Sequence, residues 1–125
     1  HLDDNLDLIL FPISITRFEA QKAKIELEKE GYKIGIANIL WIKPFSIRKD
    51  WEQAVIKSKF GGIVLDDDYT DGVASNLAYQ LIKKTKKNFE VMGLKDRSAG
   101  FSKTTDNLPP SCKEIIFKCL KVISN

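Results

Sequence analysis

Three consecutive aspartates, Asp66, Asp67 and Asp68, stand directly after an apolar burst, Ile63-Val64-Leu65, in the segment GGIVLDDDYTDGVASNLAYQL. Carboxylates clustered at that place could hold Mg²⁺ together with a phosphate, because such sites need only one or two carboxylates and let the substrate supply the rest. The reading without chemistry is a solvated acidic loop, or a charged surface that meets a basic partner in a salt-sensitive way. Asp96-Arg97 is the next charged pair. As an exposed ion pair it is worth little, although Arg97 could also meet an anion, and the structural role is favoured. His1 is the single histidine and sits at the terminus, a poor place for a general base. Cys112 and Cys119 lie seven residues apart in one expected helix, roughly 10 Å apart on one face at 1.5 Å per residue. That is too far for a disulfide, so they read as reduced thiols. Two cysteines and one distant histidine do not make a metal-ligand set.

These residues need elements to position them, and the pattern supplies a regular alternation. LDLILFPI (6–13) is a nearly continuous apolar run, as in a strand buried on both faces, with Pro12 expected to end its ladder. Thr16-Arg17-Phe18-Glu19 has the form of a capping box, with Glu19 reaching back to the start of a helix. Ala20, Ala23 and Leu27 form its inward stripe, and Gly31 ends it in the left-handed conformation. A second strand is expected over 32–39. Ser46 is the expected N-cap of a helix burying Ile47, Trp51, Ala54 and Val55. Gly61-Gly62 precedes the third strand, a helix follows over 73–84, and a fourth strand runs over 89–94. Residues 95–110 show no period and end in Pro109-Pro110. Ser111-Cys112-Lys113-Glu114 is a second capping box, opening a helix with Ile115, Ile116, Cys119 and Val122 inward. Strands alternating with helices imply a parallel sheet covered on both faces. The expected fold class is therefore α/β, a three-layer α/β/α domain with a mostly parallel sheet, formed by residues 1–125 as one domain. Turns after the carboxyl ends of such strands are where ligands and partners are met.

Several chemistries lack their residues. No G-x-G-x-x-G follows Ile13, no Walker lysine loop occurs, and no G-x-S-x-G elbow is present. Phosphotransfer in the manner of signalling receiver domains would need an acidic pair after the first strand, but that strand ends Pro12-Ile13-Ser14. The chain of 125 residues, 43% hydrophobic and 30% charged, has the make-up of a globular domain. Its net charge of +3 is uneven: residues 81–125 hold ten Lys or Arg against four Asp or Glu. Lys83, Lys84, Lys86 and Lys87 suit the negative end of a helix. No aromatics interleave with them, so nucleic acid is not an expected partner. No run approaches the roughly 20 apolar residues that span a bilayer, so no membrane partner is expected. The acidic start HLDDNLD is unlike a secretory signal, and the expected location is the cytoplasm. His1 stands where a Met would begin a chain, which suggests a piece of a longer protein.

Taken in order, the motifs resemble a known family. Asp7-Leu8-Ile9-Leu10 leads through Ser14 to a helix carrying Glu19-Ala20-Gln21-Lys22-Ala23 and Glu26-Leu27-Glu28-Lys29-Glu30-Gly31. A strand, Ile42-Lys43-Pro44-Phe45, a helix, a strand ending in acids, and the helix start Gly72-Val73-Ala74-Ser75-Asn76 follow. This is similar to the C-terminal domain shared by transketolases, 1-deoxyxylulose-5-phosphate synthases and the beta subunits of 2-oxo-acid dehydrogenases, all thiamine-diphosphate enzymes. The resemblance covers nearly the whole chain. Gly93-Leu94-Lys95-Asp96-Arg97 is closer to the transketolase-like members, and Leu108-Pro109-Pro110-Ser111 to the dehydrogenase beta subunits. The sequence departs from the family at Ile13, where Gly is frequent, at Asn38-Ile39-Leu40, at Ala74-Ser75-Asn76, and in an Asp66–Gly72 loop one residue short.

The resemblance implies a first strand flanked by the second and third, with a further antiparallel strand at or before His1. It places the switch point between the Ser14–Thr16 turn and the Asp66–Gly72 loop. It implies that thiamine diphosphate and Mg²⁺ are held by other domains of the parent enzyme, and that this domain carries no catalytic, cofactor or metal residue. The expected partners are those upstream domains and a second copy of the parent, as a homodimer. The alternative is a dehydrogenase beta-subunit domain that docks another component of a multienzyme complex. Candidate interface or channel residues are Ser14, Thr16, Asp66, Asp67, Asp68, Tyr69, Asn76 and Arg97.

Overall fold

Leu8–Pro12, strand β1, is buried at every position, as its unbroken apolar sequence requires of a strand covered on both faces. The structure is a computed structural model and describes residues 5–13, 16–39, 49–65, 71–92 and 110–124. In these, β1 is followed by α1 (Thr16–Lys29), β2 (Ile34–Ile36), α2 (Lys49–Lys57), β3 (Gly62–Leu65), α3 (Asp71–Thr85), β4 (Phe89–Met92) and α4 (Cys112–Ser124). The sheet order is β2-β1-β3-β4, and every described pairing is parallel. The α/β class and the placing of β1 between β2 and β3 agree with expectation. The antiparallel strand implied at or before His1, and the expected N-cap Ser46 with Ile47, lie outside the described residues.

Alternation along the strands sorts the core into two clusters. Ile9, Phe11, Ile13 and Val64 face Ala54 and Val55 of α2 and Leu77, Ala78 and Leu81 of α3. Leu8, Leu10, Ile63 and Leu65 face Ala20, Ala23 and Leu27 of α1 and Ile115 and Cys119 of α4. The sheet is thus the middle of three layers. On α1 the outer face carries ion pairs Lys22–Glu19 (3.0 Å), Lys24–Glu28 (2.7 Å) and Lys29–Glu26 (3.2 Å). Each such pair is worth about 0.2–0.5 kcal/mol, whereas burying one Leu contributes about 1.5–3 kcal/mol. Leu27 against the sheet therefore outweighs the whole outer row.

Helix ends show where local pattern decides and where it does not. Gly31 has φ +97°. Tyr32 N–H donates to Leu27 O (3.2 Å) and Gly31 N–H to Glu28 O (3.1 Å), the paired bonds of a Schellman motif. At α4, Glu114 N–H donates to Ser111 Oγ (3.2 Å) and Ser111 N–H to Glu114 Oε1 (3.0 Å), so the second capping box forms. The first does not. Glu19 turns away from the start of its own helix and its Oε1 accepts from Cys112 N–H at 2.8 Å, across 93 residues of chain. Thr16 N–H, which a capping box would give to Glu19, already donates to Ile13 O (3.3 Å), whereas Cys112 opens α4, where the first amides have no partner within the helix.

Pro12 is the last residue of β1, as expected. It stands in register with Leu65, and beyond it, among the described residues, only an isolated bridge joins Ile13 to Ile39. Leu10 O and Pro12 O both accept from the β2 side, from Ala37 N–H and Ile39 N–H (each 2.9 Å), so the amide that Pro12 lacks would also face β2. β2 is correspondingly short, Ile34–Ile36, against the 32–39 expected, and β1 ends at Pro12.

The Glu19 bridge has a testable pH signature. The Cys112 N–H first, and then the hydrogen bond from Lys22, hold the Glu19 carboxyl below its ordinary value of 4.5. The unfolded chain binds this proton more readily than the folded one. The contribution is therefore complete above about pH 4.5 and is lost as pH falls through the lowered folded value. Glu19→Gln keeps an acceptor for Cys112 N–H but no charge, and urea unfolding from pH 6 to 3 is expected to show a flatter acid limb than the parent. Glu19→Ala is expected to cost about 1 kcal/mol near neutral pH, the usual loss on removing a helix cap. An unchanged acid limb in Glu19→Gln would show that the bridge carries no linked proton.

Candidate functional site: the carboxyl edge of β1 and β3

The connection from β1 passes through α1 on one sheet face, and that from β3 through α3 on the other. Adjacent strands whose chains depart to opposite faces leave a crevice at their carboxyl ends, the place where open α/β sheets meet ligands. Its described floor is closed by hydrogen bonds. Ile13 N–H donates to Leu65 O at 2.8 Å, and Ile39 N–H to Pro12 O. Thr16, 1% exposed, places Oγ1 2.7 Å from Ile13 O and 3.2 Å from Leu65 O. A hydroxyl has one proton to donate, so the shorter contact takes most of it. Thr16 thereby ties the first turn of α1 to both strand ends. It can fix where the loops above them begin, while its own hydroxyl is already committed.

Of the other candidate residues, Asn76 is exposed on α3, on the opposite side of the sheet from α1. Ser14, Asp66, Asp67, Asp68, Tyr69 and Arg97 lie outside the described residues. The described edge includes Ile13, Ile39, Leu65 and the engaged Thr16, with Arg17 next to Thr16 at the start of α1. Among the described residues no group of three or more His, Cys, Asp or Glu could hold a metal ion.

The thiols are unsuited to nucleophilic work. Both are free. Burial pushes Cys119 up to about 12. Burial also raises Cys112, with the carboxylates of Glu19 and Glu26 adding to it. A reactive thiol needs the opposite shift. Among the described residues no helix is long and apolar enough to cross a membrane.

No protein-family model matches the chain, and no curated protein matches its sequence. Solved structures do match. One is described as a split gene transketolase, inactive beta4 tetramer, with a TM-score of 0.77 and 13% identity, over 97% of this chain and 39% of that one. Another is the 2-oxoglutarate:ferredoxin oxidoreductase from Magnetococcus marinus, with 2-oxoglutarate, coenzyme A and succinyl-CoA bound. Its TM-score is 0.70 at 15% identity, over 98% of this chain and 19% of that one. At such identities the likeness is one of fold. The chain spans well under half the length of either neighbour.

Proposed function

We propose that this chain is the C-terminal domain of a thiamine-diphosphate-dependent, transketolase-like enzyme, serving domain packing and dimer assembly and leaving cofactor binding to other domains. The observation that carries the reading is the lopsided overlap: nearly all of this chain, but only 39% of the transketolase chain, takes part in the match. That is the relation of a part to a larger enzyme. The order of motifs in the sequence, which resembles the same domain, supports it independently. The parent would make or break a bond beside a ketone or 2-oxo-acid carbonyl, with carbanion stabilisation supplied by the cofactor. The two free cysteines suit a cytoplasmic setting. A dehydrogenase-type domain that docks another enzyme component is the second reading, favoured by the 2-oxo-acid oxidoreductase among the neighbours.

Two measurements test this. Calorimetric titration of the 125-residue chain with thiamine diphosphate and Mg²⁺ is expected to show no saturable heat, and micromolar affinity would overturn the reading. The gene is expected to encode a thiamine-pyrimidine-binding domain upstream of His1, or a neighbouring gene to do so. Capture of a purified lipoyl-carrier protein at low salt, lost at high salt, would select the second reading over the first.

A further inference from the structure

The opposite edge of the sheet holds a feature that the reading above does not use. The register Gly62↔Phe89 sets the residues just before β3 beside those just before β4. Beside them lies a cleft of about 300 Å³, with Phe60, Gly62 and Val122 of α4 on its wall and Lys59, Lys86, Lys87, Asn88 and Glu90 around it. Three ammonium groups thus meet one carboxylate. That carboxylate is occupied: Glu90 accepts from Lys118 Nζ at 3.0 Å. Lys59 has Asp7 Oδ1 at 3.4 Å. Neither Lys86 nor Lys87 has an ion-pair partner among the described residues.

One structural cause for this charge is the end of α3 at Thr85, whose free carbonyls carry about half a negative charge. That half-charge balances only part of one ammonium, and Lys83 and Lys84, in the last turn of α3, are already placed to meet it. Lys86 moreover stands in the left-handed region, φ +62°, at a position after a helix that usually goes to Gly or Asn. A strained backbone bearing an unneutralised charge beside a cleft is a pattern that points toward a ligand. The volume is at the lower limit for small-molecule sites, and lysine is a point-charge binder of phosphate.

We propose that this cleft binds a small anion carrying two or more negative charges on phosphate or carboxylate groups. The site lies at the amino-terminal strand ends, away from the carboxyl-edge crevice, and does not depend on the thiamine-enzyme reading.

The test is titration of the chain with inorganic pyrophosphate, and separately with citrate, at low ionic strength, followed by backbone amide NMR. At least one of the two is expected to give saturable shifts centred on Gly62, Asn88 and Glu90. The double variant K86Q/K87Q is expected to weaken that binding at least tenfold. The control K22Q/K29Q, on α1, is expected to change it less than twofold. Both lysine pairs are at the surface, and the amide spectrum itself reports whether each variant is folded. Tighter binding of pyrophosphate assigns a phosphate ligand and tighter binding of citrate a carboxylate. Non-saturable shifts with both anions, or equal weakening by the two double variants, would overturn the proposal and leave these lysines as counter-charges to the helix end.

Discussion

Gly61→Ala is expected to destabilise the domain by about 3 kcal/mol, the sum of a left-handed backbone penalty and a steric one. Gly61 has φ +85°, and a Cβ built on it would run into the backbone carbonyl oxygen of Asn88. That oxygen cannot swing aside cheaply, since it accepts the Gly62 N–H at 3.2 Å. Gly61 O in turn accepts from Ile9 N–H at 3.0 Å, so moving Gly61 disturbs β1 as well as β3. Gly31 supplies the control. Its φ is +97° but a Cβ there meets nothing within 4 Å, so Gly31→Ala carries only the backbone cost, about 1–2 kcal/mol. Urea unfolding of both variants is the measurement. A Gly61→Ala loss no larger than that of Gly31→Ala would show that the close approach to Asn88 is not enforced in the folded protein.

Those two glycines also mark the boundary of what can be read from sequence. Gly31 follows an amphipathic run, and its conformation is set by bonds to Leu27 and Glu28 only a few residues away. The Ser111–Glu114 box is equally local. Buried β1 was legible because a strand covered on both faces has an apolar residue at every position. Gly61 was legible as a break, but the reason it must be glycine lies in Asn88, just before β4 and distant in sequence. Glu19 matched a local box and took a distant partner, because the opening amide of α4 offered an alternative that no spacing within α1 records. The lysine cleft is of the same kind. Lys86 and Lys87 were visible as a basic helix end, and Lys59 joins them only once β3 and β4 are known to pair in parallel. At the carboxyl edge, the meeting of the β1 and β3 ends was implied by the family resemblance, since alternation of strands and helices does not by itself fix strand order, while Thr16 was visible as a helix start and not as the hydroxyl that ties both strand ends together. The acidic residues that drew attention first, Asp66 to Asp68, lie outside the described residues.

Phe11→Ala is expected to cost about 3–5 kcal/mol, in the range for truncating a buried aromatic side chain, and to lower the melting temperature by roughly 10–20 °C. Phe11 is fully buried at the centre of the layer formed with α2 and α3. Its ring meets Trp51 of α2 edge-on, with centroids 5.9 Å apart, and Phe89 of β4 at 5.6 Å. One side chain of β1 therefore holds a helix and a strand that it does not adjoin in the sheet, since β3 lies between β1 and β4. Aromatic pairs contribute about 0.5–1.5 kcal/mol beyond their buried area. A double-mutant cycle of Phe11→Leu with Trp51→Leu is accordingly expected to give a coupling of that size, because each single change keeps the site apolar and removes only the ring contact. The consequence reaches the carboxyl edge, because Ile13 follows Phe11 by two residues on the same strand face and anchors Leu65 and Ile39. Loosening Phe11 should free the Ile13 amide, so its hydrogen exchange is expected to quicken in Phe11→Leu more than that of Leu8, at the far end of the strand. Equal exchange at both positions would mean that β1 moves as one rigid unit and that the aromatic cluster stabilises the sheet without ordering its carboxyl edge.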